Sequence, residues 1–225
     1  MHIRIAPGRA WALSAALFLL AACGGGDGAE ATTPPIAPTA VVVPSVVSYE
    51  LAATRDGPDG AITAPVDYAQ FNYVGDFAGD LIVRSFFRFD TSFIPDGATI
   101  VSATLWMHQS EVLGTPYGAD GLGELLVDHV RLGTAVDAGD FGDAGVMHLG
   151  FGALVTDPVP GWKSLDVTNQ VQADVDASRP STDFRLRFTL MTDLDDQADL
   201  VGLANSDGFA INQLAPYVEV VYRTP

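Results

Sequence analysis

Seven residues, Asp193-Leu194-Asp195-Asp196-Gln197-Ala198-Asp199, carry four carboxylates. Hard oxygen ligands this close together in a loop suit calcium, and an extracellular concentration of about a millimolar fills even a weak site. The run lacks the spacing and the central glycine of an EF-hand loop. Asp193, Asp195, Asp196 and Asp199 are therefore candidate ligands for a structural calcium ion, with a merely solvated acidic loop as the alternative. No cofactor is required. Asp137, Asp140 and Asp143 form a second, sparser acidic group in a segment that reads as a loop.

Positive charge is scarce: 11 Lys and Arg stand against 28 Asp and Glu, for a formal net charge of −17. Such acidity repels nucleic acid and anionic membranes and argues against both as partners. It makes the placement of the cations informative. Arg84, Arg88, Arg185 and Arg187 fall on the outward parity of two strand-like segments, and Trp106 and His108 share the outward parity of a third. If the three segments are neighbours, a cationic and aromatic strip crosses a sheet. Guanidinium forks hold carboxylates bidentately, and an indole face covers the apolar side of a sugar ring, so the strip suits an acidic polysaccharide. The alternative is that the arginines are spent on ladder pairs, Arg88 with Asp90 and Arg185 with Asp183.

No catalytic signature accompanies these groups. The chain has no Gly-x-Ser-x-Gly elbow, no His-Glu-x-x-His, no Walker loop and no dinucleotide fingerprint after a strand. His108, His129 and His148 each fall on an expected strand and read as structural. With 28 acids, close carboxylate pairs arise by accident, so glycosidase geometry has no support from them. The expectation is a protein that is not an enzyme.

The elements that position these residues follow from strand periodicity. In residues 81–90, Leu81, Val83, Phe87 and Phe89 share one face and Arg84, Arg88 and Asp90 the other. Pro95-Asp96-Gly97 makes a turn, and a second strand follows with Val101, Ala103, Leu105 and Met107 inward and Ser102, Thr104, Trp106 and His108 outward. Residues 183–191 alternate most cleanly, with Phe184, Leu186, Phe188 and Leu190 inside. Further strands are expected at 46–54, 60–66, 70–75, 122–132, 146–155, 200–204 and 217–223, the inward face of 122–132 being ambiguous. Residues 111–123 read as a loop. One short helix is expected after Thr168, its N-cap, with Val171 and Val175 as an apolar stripe and Pro180 as its stop. The fold class is all-β: a jelly-roll-like sandwich of two antiparallel sheets with one short helix.

Ser85-Phe-Phe-Arg-Phe-Asp, Ile94-Pro-Asp-Gly-Ala-Thr-Ile, Ser102-Ala-Thr-Leu, Leu165-Asp-Val-Thr and Pro216-Tyr-Val-Glu-Val-Val-Tyr together resemble the signature of the DNRLRE-domain proteins. These are bacterial surface and secreted β-sandwiches, some of them carbohydrate-binding modules. The resemblance covers roughly residues 80–222 and implies a sandwich and a glycan ligand. The six-letter string that names the family is absent, and the family usually has a polar or basic residue where Trp106 stands.

The N-terminus reads as an address. Arg4 and Arg9 precede a short apolar run at 10–22, too short to span a bilayer, with no acid before Cys23. Leu20-Ala21-Ala22-Cys23 resembles a bacterial lipobox, which implies cleavage before Cys23, lipid on its sulfur and acylation of its new amino group, the alternative being an ordinary secretory signal. Acyl chains hold a protein to a membrane when two or more are present. Cys23 is the single cysteine, so disulfides within the chain and thiol catalysis are excluded. Residues 1–22 thus form a signal peptide, 23–45 a lipidated cysteine and a linker of roughly 60 Å reach, and 46–225 the sandwich domain. Gly24 after the cysteine resembles the rule for transfer to the outer membrane.

The expected protein is a lipid-anchored, non-catalytic outer-membrane β-sandwich that binds glycan or surface polysaccharide and meets membrane only through its anchor. The alternative is a structural or adhesive surface protein that packs against other proteins. The first needs Trp106 exposed beside unpaired arginines; the second needs those groups buried or paired.

Overall fold

The computed structural model describes residues 37–68, 71–143, 145–206 and 213–225. The apolar leader, Cys23 and the first part of the linker lie outside these residues. Among the described residues, no helix is long and apolar enough to cross a membrane.

Among the described residues, twelve strands and two α-helices make up the named elements. The strands are β1 (Thr39–Pro44), β2 (Leu51–Asp56), β3 (Ile62–Val66), β4 (Phe71–Phe77), β5 (Leu81–Asp90) and β6 (Thr99–Leu113), followed by β7 (Leu125–Val130), β8 (Val146–Val155), β9 (Gly161–Asp166), β10 (Ser181–Phe188), β11 (Asp199–Ala204) and β12 (Tyr217–Arg223). Helix α1 (Ala138–Phe141) precedes β8 and α2 (Thr168–Asp176) follows β9. The fold is all-β and antiparallel. The ladders join the strands into one curled sheet in the order β1-β12-β6-β11-β4-β5-β10-β7-β8, with β2 on β5, β3 on β2 and β9 on β6.

The curl encloses the main core. Phe87, Leu105 and Leu186 come from three different strands, are fully buried and belong to one cluster with Phe89, Met107, Phe184, Val201 and Val220. Each such side chain is worth about 1.5–3 kcal/mol on burial. Val171 and Val175 of α2 join the same cluster, so the expected apolar stripe holds the helix on the sheet. Its N-terminus differs from expectation: Thr168 is the first helical residue, and its N–H donates to the Asp166 carboxylate at 2.8 Å. The Thr168 hydroxyl oxygen instead accepts from the Ala103 N–H at 2.9 Å, tying α2 to β6.

Several boundaries move for identifiable reasons. The Val-rich end of the expected linker is a strand, because Thr39–Pro44 pairs with β12 along its whole length. β6 continues through residues expected to be a loop, since Glu111, Val112 and Leu113 pair with β11. Val101 is 44% exposed and Ile100 buried, because a register shift opposite Val221 and Tyr222 reverses parity at the start of β6. Leu190 lies beyond β10 and is exposed. Asp137 and Asp140, expected in a loop, form the reciprocal capping box of α1.

The largest departure is a second core on the far side of β5. Ile82 and Phe86 share the parity of Arg84 and Arg88, and they pack with Ala53, Val130, Leu132, Val136 and Phe141. β2, β3, α1 and the start of β8 cover this face. The ambiguity of residues 122–132 has the same cause: Leu125 and Val127 fill the main core while Val130 fills the second.

Candidate functional site

The six residues expected on one strip occupy two separate places. β11 and β4 stand between β6 and β5, so Trp106 and His108 are not neighbours of the arginines. Arg84, Arg88, Arg185 and Arg187 do gather on adjacent strands, since β5 and β10 pair directly.

The arginines are not presented to solvent. Arg185 is fully buried, and its guanidinium pairs with Asp128 at 2.7 Å while donating to the carbonyls of Asp140 at 3.0 Å, Phe141 at 3.1 Å and Gly142. Arg187 shares Asp128 at 3.0 Å. Arg88 makes a bidentate fork to Asp183, its register partner, at 2.7 and 2.8 Å, and lies 3.8 Å over the Tyr49 ring. Arg84 lies 4.5 Å over the Phe141 ring and donates to the Phe141 carbonyl. Burial, with Arg185 and Arg187 nearby, pushes Arg84 down to about 10. The outward strip on these strands is thus corrected to a layer in which Arg88, Arg185 and Arg187 are ion-paired and Arg84 is held by Phe141. Pairing was expected as the alternative, but with other partners: Asp183 serves Arg88 rather than Arg185, and Asp128 serves Arg185.

The aromatic part of the expected strip acquires new members. Ladder register puts Tyr217 of β12 and Ser164 of β9 on either side of Trp106, and Trp162 of β9 beside His108. Residues directly opposite in a ladder share a face, so these side chains all stand on the side of the sheet away from Leu105 and Met107. Trp106 and Tyr217 stack with centroids 6.2 Å apart and planes at 17°. Trp162 meets Tyr217 edge-on at 5.5 Å and His108 at 5.4 Å. Trp162 is 38% exposed, while Trp106, His108 and Tyr217 are half-buried, and the Trp106 indole N–H has no acceptor among the described residues. His108 Nδ1 lies 2.8 Å from the Ser110 hydroxyl, and burial pushes its imidazole below the ordinary value. The charges nearest in register are acidic, Glu219 and Asp166 flanking Thr104. A second aromatic group, Tyr68, Phe71, Tyr73 and Phe77, gathers at β4 with centroids 5.4–5.9 Å apart.

Sequence reasoning missed Trp162 and Tyr217. The available signal was alternation: Trp162, Ser164 and Asp166 share one parity, as do Tyr217 and Glu219. What alternation alone does not reveal is that β9 and β12 both border β6.

Of the other two histidines expected on strands, His129 is buried and His148 exposed. His129 Nε2 is 2.9 Å from the Asp174 carboxylate, joining β7 to α2, and His148 lies against Phe151.

The acidic candidates divide. Asp193, Asp195 and Asp199 bring carboxylate oxygens within 4.8 Å of one another. Asp196 does not join them. Of the sparser group, Asp137 and Asp140 cap α1, and Asp143 lies 3.5 Å from Arg185. Cys23 falls outside the described residues. In comparison with known proteins, the chain matches no family model, and no curated protein matches it significantly.

Proposed function

We propose that this chain is a non-catalytic β-domain that binds neutral glycan through the aromatic row of Trp106, Tyr217 and Trp162, carried on an exported, lipid-anchored protein of the outer membrane. The observation that carries the reading is the row itself: three large rings, two stacked and one edge-on, on the outer face of three paired strands. Aromatic faces cover the C–H surfaces of sugar rings, and Trp162, the exposed ring of the row, stands outside the core clusters with half-buried Trp106 and Tyr217 beside it. His108 and Ser164 add hydrogen-bonding groups at the edge. Of the arginines that favoured an acidic ligand, Arg88, Arg185 and Arg187 are ion-paired and Arg84 is buried against Phe141, and Glu219 and Asp166 repel carboxylates, so the ligand class moves from acidic to neutral glycan.

Catalysis finds little support. The most perturbed carboxylate, Asp76, is pushed up to about 6 by burial but is fully enclosed, where no substrate reaches it. A cavity of about 220 Å³ between Arg88, Asp174, Arg179 and Asp183 is lined by groups already paired with one another.

One observation favours the second reading, a structural or adhesive protein: the arginine layer is spent on internal pairs, as a scaffold requires. Affinity electrophoresis separates the two. Retardation of the purified chain by a neutral β-glucan or α-glucan, lost in Trp162→Ala, supports glycan binding. Unchanged mobility in every neutral and acidic polysaccharide sinks it and leaves the scaffold.

A further inference from the structure

Asp76 of β4 and Asp199 of β11 are register partners, and both are buried. The backbone is unusually tight here: Gly75 has φ +129°, and any Cβ on it would strike the Asp199 carbonyl and Leu200. Asp199 is partly satisfied, its Oδ1 accepting from the Thr115 N–H. Asp76 is less well satisfied. It is 0% exposed, and among the described residues neither carboxylate oxygen has a hydrogen bond of good geometry, the Thr192 hydroxyl and the Asp199 N–H being the donors that act on it. Buried carboxylates without partners are rare because removing the charge from water has nothing to offset it.

The loop after β10 brings more negative charge to the same place. Asp193, Asp195 and Asp199 each offer an oxygen within 4.8 Å of the others, and Asp193 and Asp199 are the charges that act on Asp76. Among the described residues, no Lys, Arg or His forms an ion pair with any of the four. Four carboxylates, one of them sealed, thus gather where no cationic side chain among the described residues offsets them.

We propose that Asp193, Asp195 and Asp199 bind a calcium ion, with the buried Asp76 as the carboxylate behind them that the ion's charge offsets. The donors are all hard oxygens, which select calcium or magnesium over zinc or copper. The oxygens of Asp193, Asp195 and Asp199, no more than 4.8 Å apart, fit around one ion with metal–oxygen bonds of roughly 2.4 Å, while Asp76 lies outside that triad and acts on it as a neighbouring charge. Calcium accepts such an irregular set of carboxylates, whereas magnesium demands near-ideal octahedral geometry. Asp76 is the neighbour that a reading of the acidic run alone does not supply, and through its charge the ion steadies β4 as well as β11 and the loop. The site shares no residue with the aromatic row, so its fate is independent of glycan binding.

Thermal melts of the purified chain test it. After EDTA treatment, about 10 mM calcium chloride should raise the Tm by roughly 3–10 °C, as expected for a weak extracellular-type site, with a clearly smaller rise in magnesium chloride. Asp76→Asn should melt higher than wild type in EDTA, because an amide replaces a carboxylate buried beside Asp193 and Asp199, and should lose most of the calcium-induced rise. Asp195→Asn, at an exposed position, should lose the rise as well and decides the matter if Asp76→Asn does not fold. A wild-type Tm unmoved by calcium, or a rise retained in Asp195→Asn, overturns the proposal. An equal rise in magnesium overturns the choice of calcium.

Discussion

Arg185 and Asp128 stand directly opposite each other in the β10/β7 ladder, and their side chains pair at 2.7 Å with both fully buried. One carboxylate is thereby shared by two guanidiniums, since Arg187 also reaches Asp128 at 3.0 Å. The remaining Arg185 donors end on carbonyls around the end of α1, so the pair fastens the second core's covering segment to the sheet.

Removing Arg185 should therefore damage the fold. Arg185→Ala leaves three carbonyls and part of a buried carboxylate without donors, for a loss of about 3–5 kcal/mol. Arg185→Lys should recover only a minor part, because an ammonium lacks the planar fork. Urea unfolding midpoints check both variants, and a loss under about 1 kcal/mol in Arg185→Ala would contradict the structural role.

The aromatic row predicts a graded loss of glycan affinity. Trp162→Ala removes the most exposed ring and should weaken binding at least tenfold, with circular dichroism unchanged. Tyr217→Ala should weaken binding as well, since it unseats Trp106 from its stack. Arg88→Gln should leave affinity as it is while lowering stability, because Arg88 serves Asp183 on another part of the sheet. A glycan array with all three variants reads this pattern.

Burial at the row has a pH consequence. The folded pKa of His108 lies below its ordinary value of 6.5, so the native state resists protonation more than the unfolded chain does. The unfolded state then binds more protons as pH falls below about 6.5, and stability drops through that window, being fully present above it. Between pH 7.5 and 5.5 the wild type should lose more stability than His108→Gln. Equal losses in denaturant titrations would show that the imidazole is not held neutral.

The lipobox resemblance at Cys23 predicts that labelled palmitate enters the wild-type chain in a bacterial host and does not enter Cys23→Ser. Equal labelling of the two would remove the anchor from the account.

Much of this protein is local in origin. Alternation placed Phe87, Leu105 and Leu186 in one interior, because a strand's side chains alternate whatever its neighbours are. Val171 and Val175 marked helix α2 for the same kind of reason. The polar surroundings of the arginines were not local. Ile82 and Phe86 lay on their parity and hinted at a second apolar layer, but which segment covers that face depends on how β2, α1 and β8 cross it. Likewise Trp162 and Tyr217 became partners of Trp106 only through the pairing of β9 and β12 with β6. Asp76 met the acidic loop through its register with Asp199. Periodicity sets the face of a strand, an intrinsic property of its backbone; strand order and register are set by packing free energy summed over the whole chain, and it is these that decide which distant residues share a site.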